Sequence, residues 1–146
     1  MKVIVLYFSC FGNTKGLAEK IAQLTNAAEI QGIVLGGKFR TFLHMLRIVS
    51  GEFPLPDISD CDLLYIGGPV WAGGPAPGLK RILRNLELTG KKIKFFTRAG
   101  GNKPGTVLET LETMATQKGA EIVKSMNIND EDTEEVINQK LNELIA

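Results

Sequence analysis

The chain has 146 residues, 44% of them apolar and 23% charged, which suits one folded domain and excludes disordered or collagen-like composition. Seventeen Lys and Arg oppose 16 Asp and Glu, a net charge of +1, so there is no electrostatic ground to expect nucleic acid or an anionic membrane as partner. No apolar run reaches the roughly 20 residues of a membrane span, and the opening MKVIVLYFSC is too short for a secretory signal, which makes cytoplasmic residence the default expectation.

The first expected strand is Val3–Phe8, apolar without alternation, as in a strand buried on both faces of a parallel sheet. A helix follows, with Leu17, Ala18, Ile21, Ala22 and Leu24 inward and Lys15, Glu19, Lys20 and Gln23 outward. A second strand lies somewhere in Ala28–Val34. Gly36 and Gly37 then break the chain before a helix carrying Phe39, Phe42, Leu43, Leu46 and Val49.

Pro54 and Pro56 make a stiff approach to a third strand, Leu63–Gly67. Its helix spans Pro77 to Leu88, with Leu79, Ile82, Leu83 and Leu86 inward. The fourth strand is Lys92–Thr97, followed by a helix holding Val107, Leu108, Leu111 and Met114. The fifth is Glu121–Met126. A last helix begins in the acidic run Asp130–Glu135, where negative charge suits the helix dipole, and closes on Val136, Ile137, Leu141, Leu144 and Ile145. Strand and helix alternate throughout, so residues 1–146 read as one domain: a doubly wound, five-stranded parallel sheet with helices on both faces.

Such sheets bind ligands beyond the carboxyl ends of their strands, at the switch in strand order. Three glycine-rich segments fall there: Ser9–Thr14, Gly68–Pro77 and Arg98–Gly105. In the first, Ser9, Cys10, Phe11, Gly12, Asn13 and Thr14 bridge a buried strand and a helix start, where unpaired N–H groups attract anions. No lysine stands in the Walker position, so the segment suits a terminal monophosphate held without a metal. The plainer alternative is that Ser9, Asn13 and Thr14 cap the helix.

These residues are where the sequence resembles the flavodoxin family. The family's phosphate loop, Ser/Thr-x-Thr-Gly-x-Thr, is matched at Ser9, Gly12 and Thr14, with Phe11 in place of the middle hydroxyl. That exchange removes one neutral hydrogen bond, about 1 kcal/mol. The stretch Asp62–Pro77, DLLYIGGPVWAGGPAP, resembles the third strand and flavin-contacting loop of flavodoxin-like oxidoreductases. The likeness implies a flavodoxin-like three-layer sandwich with strand order 2-1-3-4-5 and non-covalently bound FMN. It implies that Ser9–Thr14 hold the phosphate, and that Pro69, Val70, Trp71, Ala72 and Gly73 flank the isoalloxazine ring on one side. Thr97, Arg98, Ala99, Gly100 and Gly101 then border its other edge.

Trp71, the only tryptophan, reads as a loop residue offering a stacking face, with covering of the sheet end as the alternative. Gly73 or Gly74 would let the backbone rotate to meet the flavin. Arg98 suits either an anionic reduced flavin or substrate carboxylate, or a surface ion pair. Tyr65 reads as sheet packing, His44 as a packing or surface histidine, and Lys38, Arg40, Arg47, Lys91, Lys92 and Lys94 as solvated faces. Cys61 carries no constellation, and Cys10, Cys61 and His44 are too few and too scattered for a zinc site.

Cys10 and its loop also resemble the start of the low-molecular-weight phosphotyrosine phosphatases. That chemistry needs arginine six residues later to bind the phosphoryl group, and Gly16 stands there. A response-regulator receiver needs acidic residues ending the first strand, where this chain has Tyr7, Phe8 and Ser9. The expected function is thus a small FMN-dependent oxidoreductase moving electrons or hydride. A single-electron carrier or a cofactor-free binding module stand as alternatives, and no side chain is required as acid or base. The near-neutral charge favours the enzyme over a carrier steered by charge. Expected partners are a redox protein or a small-molecule electron donor or acceptor, with a homodimer as a further expectation.

Overall fold

Seven consecutive buried residues, Val3–Ser9, form β1, the pattern of a strand covered on both faces. The computed structural model describes residues 1–9, 13–34, 55–71, 74–99 and 106–146. Helix α1 (Asn13–Thr25) returns the chain to β2 (Glu29–Val34), which pairs parallel to β1 from Ile4↔Glu29 to Ser9↔Val34. On the other side of β1 lies β3 (Leu63–Trp71), also parallel, and β4 (Gly74–Pro75) pairs antiparallel with its end. Helix α2 (Pro77–Asn85) leads to β5 (Lys92–Ala99), α3 (Val107–Gln117) to β6 (Glu121–Asn129), and α4 (Glu134–Ile145) follows.

The strand order is β2-β1-β3-β5-β6. With β4 set aside as a short appendage, this is the order 2-1-3-4-5 expected from the sequence. The alternation of side chains along each strand divides the core in two. Ile4, Leu6, Phe8, Leu64, Ile66 and Phe95 pack under α2 and α3, against Leu79, Ile82, Leu83 and Leu111. Val5, Tyr7, Tyr65 and Phe96 pack under α1 and α4, against Leu17, Ile21, Leu141 and Leu144. Phe96 lies so close over Gly67 that a Cβ there would fall 2.2 Å from its ring.

Several expected boundaries move. β3 runs on to Trp71, four residues past the expected Gly67, because Gly68 and Pro69 still pair with Thr97 and Arg98, and Trp71 with Gly74. Pro69 is tolerated because among the described residues the pairing of β3 with β1 ends at Gly67, so on that side no ladder hydrogen bond from Pro69 is called for. β5 and β6 likewise extend to Ala99 and Asn129. α2 stops at Asn85, with Leu86 extended yet buried. The acidic run opens as a turn, and α4 starts at Glu134 behind the Thr133 N-cap. Leu24, expected inward, is 50% exposed near the end of α1. The expected helix around Phe39–Val49, with Gly36, Gly37, Lys38, Arg40, His44, Arg47 and Pro54, lies outside the described residues, as do Cys10, Phe11, Gly12, Ala72, Gly73, Gly100 and Gly101.

Lys94 is the plainest correction. Read as solvated, it is 4% exposed, because it shares the inward phase of β5 with Phe96 two residues on. Its Nζ donates to the Leu144 carbonyl at 2.6 Å and stands 5.7 Å over the Tyr65 ring, fastening the end of α4. Burial, and then the nearby Lys124 charge, pull its pKa below the ordinary lysine value. Between that lowered pKa and about 10.4 the unfolded chain binds a proton the folded chain does not, so stability rises with pH across this window. Urea unfolding of wild type and Lys94→Met in pH steps should therefore show a difference that shifts toward wild type as pH climbs from about 8 to 10. A flat difference would mean that Lys94 titrates as if exposed.

At the outer edge of the sheet the register between β5 and β6 slips by one. Ile93 faces Ile122, but Lys94 faces Lys124, so Val123 is an extra residue in β6 and is 45% exposed.

Candidate functional site

The carboxyl ends of β1, β3 and β5 bring Ser9, Trp71 and Ala99 to one edge of the sheet. Ser9 ends β1 at 1% exposure. Four residues on, Asn13 opens α1 and is exposed, whereas Thr14 in the same turn is 2% exposed. No described residue gives the Thr14 hydroxyl a hydrogen-bond partner. The first turn of α1 carries no acidic side chain, so nothing in its own sequence offsets the positive end of the helix dipole. A threonine hydroxyl on the first turn and the N–H groups of a helix N-terminus are a donor set that fits a phosphate monoester.

Trp71 was expected on a loop and instead ends β3. It is half-buried, and its ring stands edge-on to Phe8 at 75° with centroids 5.8 Å apart. Such T-shaped pairs are held by the ring quadrupoles. Phe8 is fully buried and directly precedes Ser9, so the indole is moored to the strand that enters the first loop. Pro69 and Val70 are half-buried beside it, and Val70 packs on the core under α2 and α3.

The third segment is more tightly tied than the sequence shows. Thr97 is fully buried, and its Oγ1 donates to Asn127 Oδ1 at 2.8 Å. The Asn127 amide then donates to Asn129 Oδ1 at 3.0 Å. Asn129 N–H donates to Asp132 Oδ2 at 3.0 Å, and that carboxylate also receives Lys140 Nζ at 2.6 Å. The Lys140 hydrogen bond holds the Asp132 carboxyl below the usual range. Of the two roles open to Arg98, the structure shows the ion pair: its Nε donates to Asp130 Oδ1 at 2.9 Å, and Asp130 N–H donates to the Ala99 carbonyl at 2.9 Å.

Phe8, Asn127, Asn129, Asp130 and Asp132 were not singled out from the sequence. Only the alternation Ser125, Asn127, Asn129 on one face of β6 signals this polar row. A cavity of about 280 Å³ lies beside Asn13, Gly16, Lys20, Arg98 and Glu134. Its two cations are already neutralised, Lys20 by Glu134 and Arg98 by Asp130, so it is no second anion site. Among the described residues no group of His, Cys, Asp and Glu could hold a metal ion, and no helix is long and apolar enough to cross a membrane.

No protein-family model and no curated protein sequence matches the chain. Solved structures do. One is a flavoprotein in complex with FMN from Lactobacillus acidophilus, with 18% identity, 99% of each chain covered and a TM-score of 0.68. A second is the two-electron reduced flavodoxin of Megasphaera elsdenii, with 18% identity, 97% and 94% covered and a TM-score of 0.66. A third is an archaeal flavodoxin, with 17% identity, 97% and 92% covered and a TM-score of 0.66. At such identities the likeness carries the architecture: the chain has the flavodoxin-like fold, in matches that cover 97% to 99% of it.

Proposed function

We propose that the chain binds FMN non-covalently and works as a small redox protein that passes electrons or hydride through it. The observation that carries this reading is Thr14, a hydroxyl residue only 2% exposed on the first turn of α1, at a helix N-terminus whose first turn carries no acidic side chain. A terminal phosphate would complete that hydroxyl and the N–H groups. Ser9 to Thr14 would hold the phosphate. Pro69 to Gly73, with the indole of Trp71 as a flat apolar surface, and Thr97 to Gly101 would flank the ring. The flavin supplies the electron and hydride chemistry, while these residues bind it, orient it and shield it from water. That a structure of the same fold was solved with FMN supports the choice of cofactor.

Within this reading we favour a small oxidoreductase taking electrons from a nicotinamide- or quinone-like donor, because a net charge of +1 offers no steering field toward a protein partner. The single-electron carrier is the second reading, favoured by the near-complete coverage of structures that are flavodoxins. The test is a visible spectrum of protein purified without added cofactor, followed by FMN titration with Trp71 fluorescence as readout. Saturable one-to-one binding with quenched indole emission is expected, and no binding at millimolar FMN sinks the proposal. Stopped-flow mixing of the holoprotein with NAD(P)H separates the two functions, since direct reduction marks the enzyme and its absence the carrier.

A further inference from the structure

Among the described residues most cations are spoken for. Lys2, Lys15, Lys20, Arg98 and Lys140 meet carboxylates. Lys91, Lys94, Lys118 and Lys124 donate to backbone carbonyls. Lys80 and Arg84 do neither. They stand four residues apart on α2, hence on one face of it, and α2 contains no acidic residue.

That face borders a cavity of about 350 Å³, floored by Leu83 and Met114 and walled by Gln117 of α3. A second cavity of about 410 Å³ shares Thr110 and Met114 with it and reaches Thr106. Sharing those two residues, the two adjoin along α3, and their linings run from Thr106 to Lys118, about 18 Å at the rise of a helix. An extended chain advances about 3.3 Å per residue, so five or six residues fill it. The charge is graded along its length. Glu109 lies toward the Thr106 end, and Lys80 and Arg84 lie toward the other.

The end of α2 would ordinarily repel an anion, because its last carbonyls carry partial negative charge. Lys118 removes that obstacle. Its Nζ donates to the carbonyls of Leu83 and Arg84 at 2.9 Å each and to that of Leu86. The groove therefore combines two unpaired cations, a capped helix end and an adaptable methionine floor.

We infer that the groove between α2 and α3 receives an extended acidic segment of a partner protein, its carboxylates meeting Lys80 and Arg84 while an apolar side chain rests on Met114. The chain's own acidic run is a poor occupant for a second copy's groove. Asp130, Asp132 and Glu134 are already paired with Arg98, Lys140 and Lys20. The inference stands apart from the FMN proposal and needs no cofactor.

The test is fluorescence anisotropy of a labelled peptide, Glu-Glu-Leu-Glu-Glu-Leu, titrated with the full chain at low ionic strength. Saturable binding that weakens with added salt is expected. Lys80→Glu with Arg84→Glu should reduce affinity about tenfold or more, while Lys92→Glu, an unpaired cation outside the groove, should leave it within about twofold. The paired Gln variants serve if the charge reversals disturb the thermal midpoint. Absent saturation, equal loss with Lys92→Glu, or no loss in the paired variants overturns the inference. Displacement by inorganic pyrophosphate at lower concentration than by unlabelled peptide would make this a small-anion site, and a dimer in sedimentation equilibrium that the paired variants dissolve would make it a self-association face. Either result also overturns it.

Discussion

Gly67→Ala is expected to destabilise the fold by about 3 kcal/mol, at the upper end of what overpacking costs. Gly67 sits in the middle strand of the sheet, paired to Tyr7 of β1 on one side and to Phe96 of β5 on the other, so its backbone has nowhere to retreat. The added Cβ would come within 2.2 Å of the Phe96 ring. That ring is itself fully buried under α1 and α4 and cannot swing into water. The urea midpoint of the cofactor-free protein reads the loss. Phe96→Leu in the Gly67→Ala background should recover part of it, because the two changes share one space. Gly32→Ala is the useful contrast. Its Cβ would also strike a ring, that of Tyr7, but among the described strands β2 pairs with β1 alone and Tyr7 keeps 7% exposure. About 1 kcal/mol is expected there. Equal midpoints for Gly67→Ala and wild type would show that Phe96 does not lie over β3.

Thr14→Ala should weaken FMN binding by about 1.5–3 kcal/mol, the range for a hydrogen bond to a charged group, or roughly tenfold to a hundredfold. Thr14 as a residue is only 2% exposed, so most of its surface is shielded from water. The same change should barely move the stability of the cofactor-free protein, since no described residue loses a hydrogen bond and alanine favours a helix. Thr14→Ser keeps the hydroxyl and should keep most of the affinity. An Ala variant within twofold of wild type would place the phosphate elsewhere.

The topology was legible because burial on both faces leaves a simple trace. Val3–Phe8 reads as a central strand from its unbroken apolar run, and the repeat of strand and helix sets the parallel order. Strand ends were not legible, for a physical reason. Gly68 and Pro69 carry local turn chemistry, yet their pairing with Thr97 and Arg98 depends on a strand some 30 residues away in sequence. The same distance hides the Thr97–Asn127 bond. Lys94 was misjudged because its charge was weighed above its phase. It shares a sheet face with Phe96, and a long aliphatic stem lets its ammonium reach the end of α4. The candidate site was legible as three segments. What fixes the orientation of Trp71, the Phe8 ring, was not, because a buried phenylalanine in an apolar strand looks like any other core residue.

The slipped register beside Val123 also bears on how these molecules meet at high concentration. A flat, hydrogen-bond-hungry border invites a foreign strand to zip alongside it; a kinked one turns its donors and acceptors out of line. Ribbon-like stacking through this flank is thereby discouraged, and crowding alone should not drive the protein into cross-molecular sheets from that side.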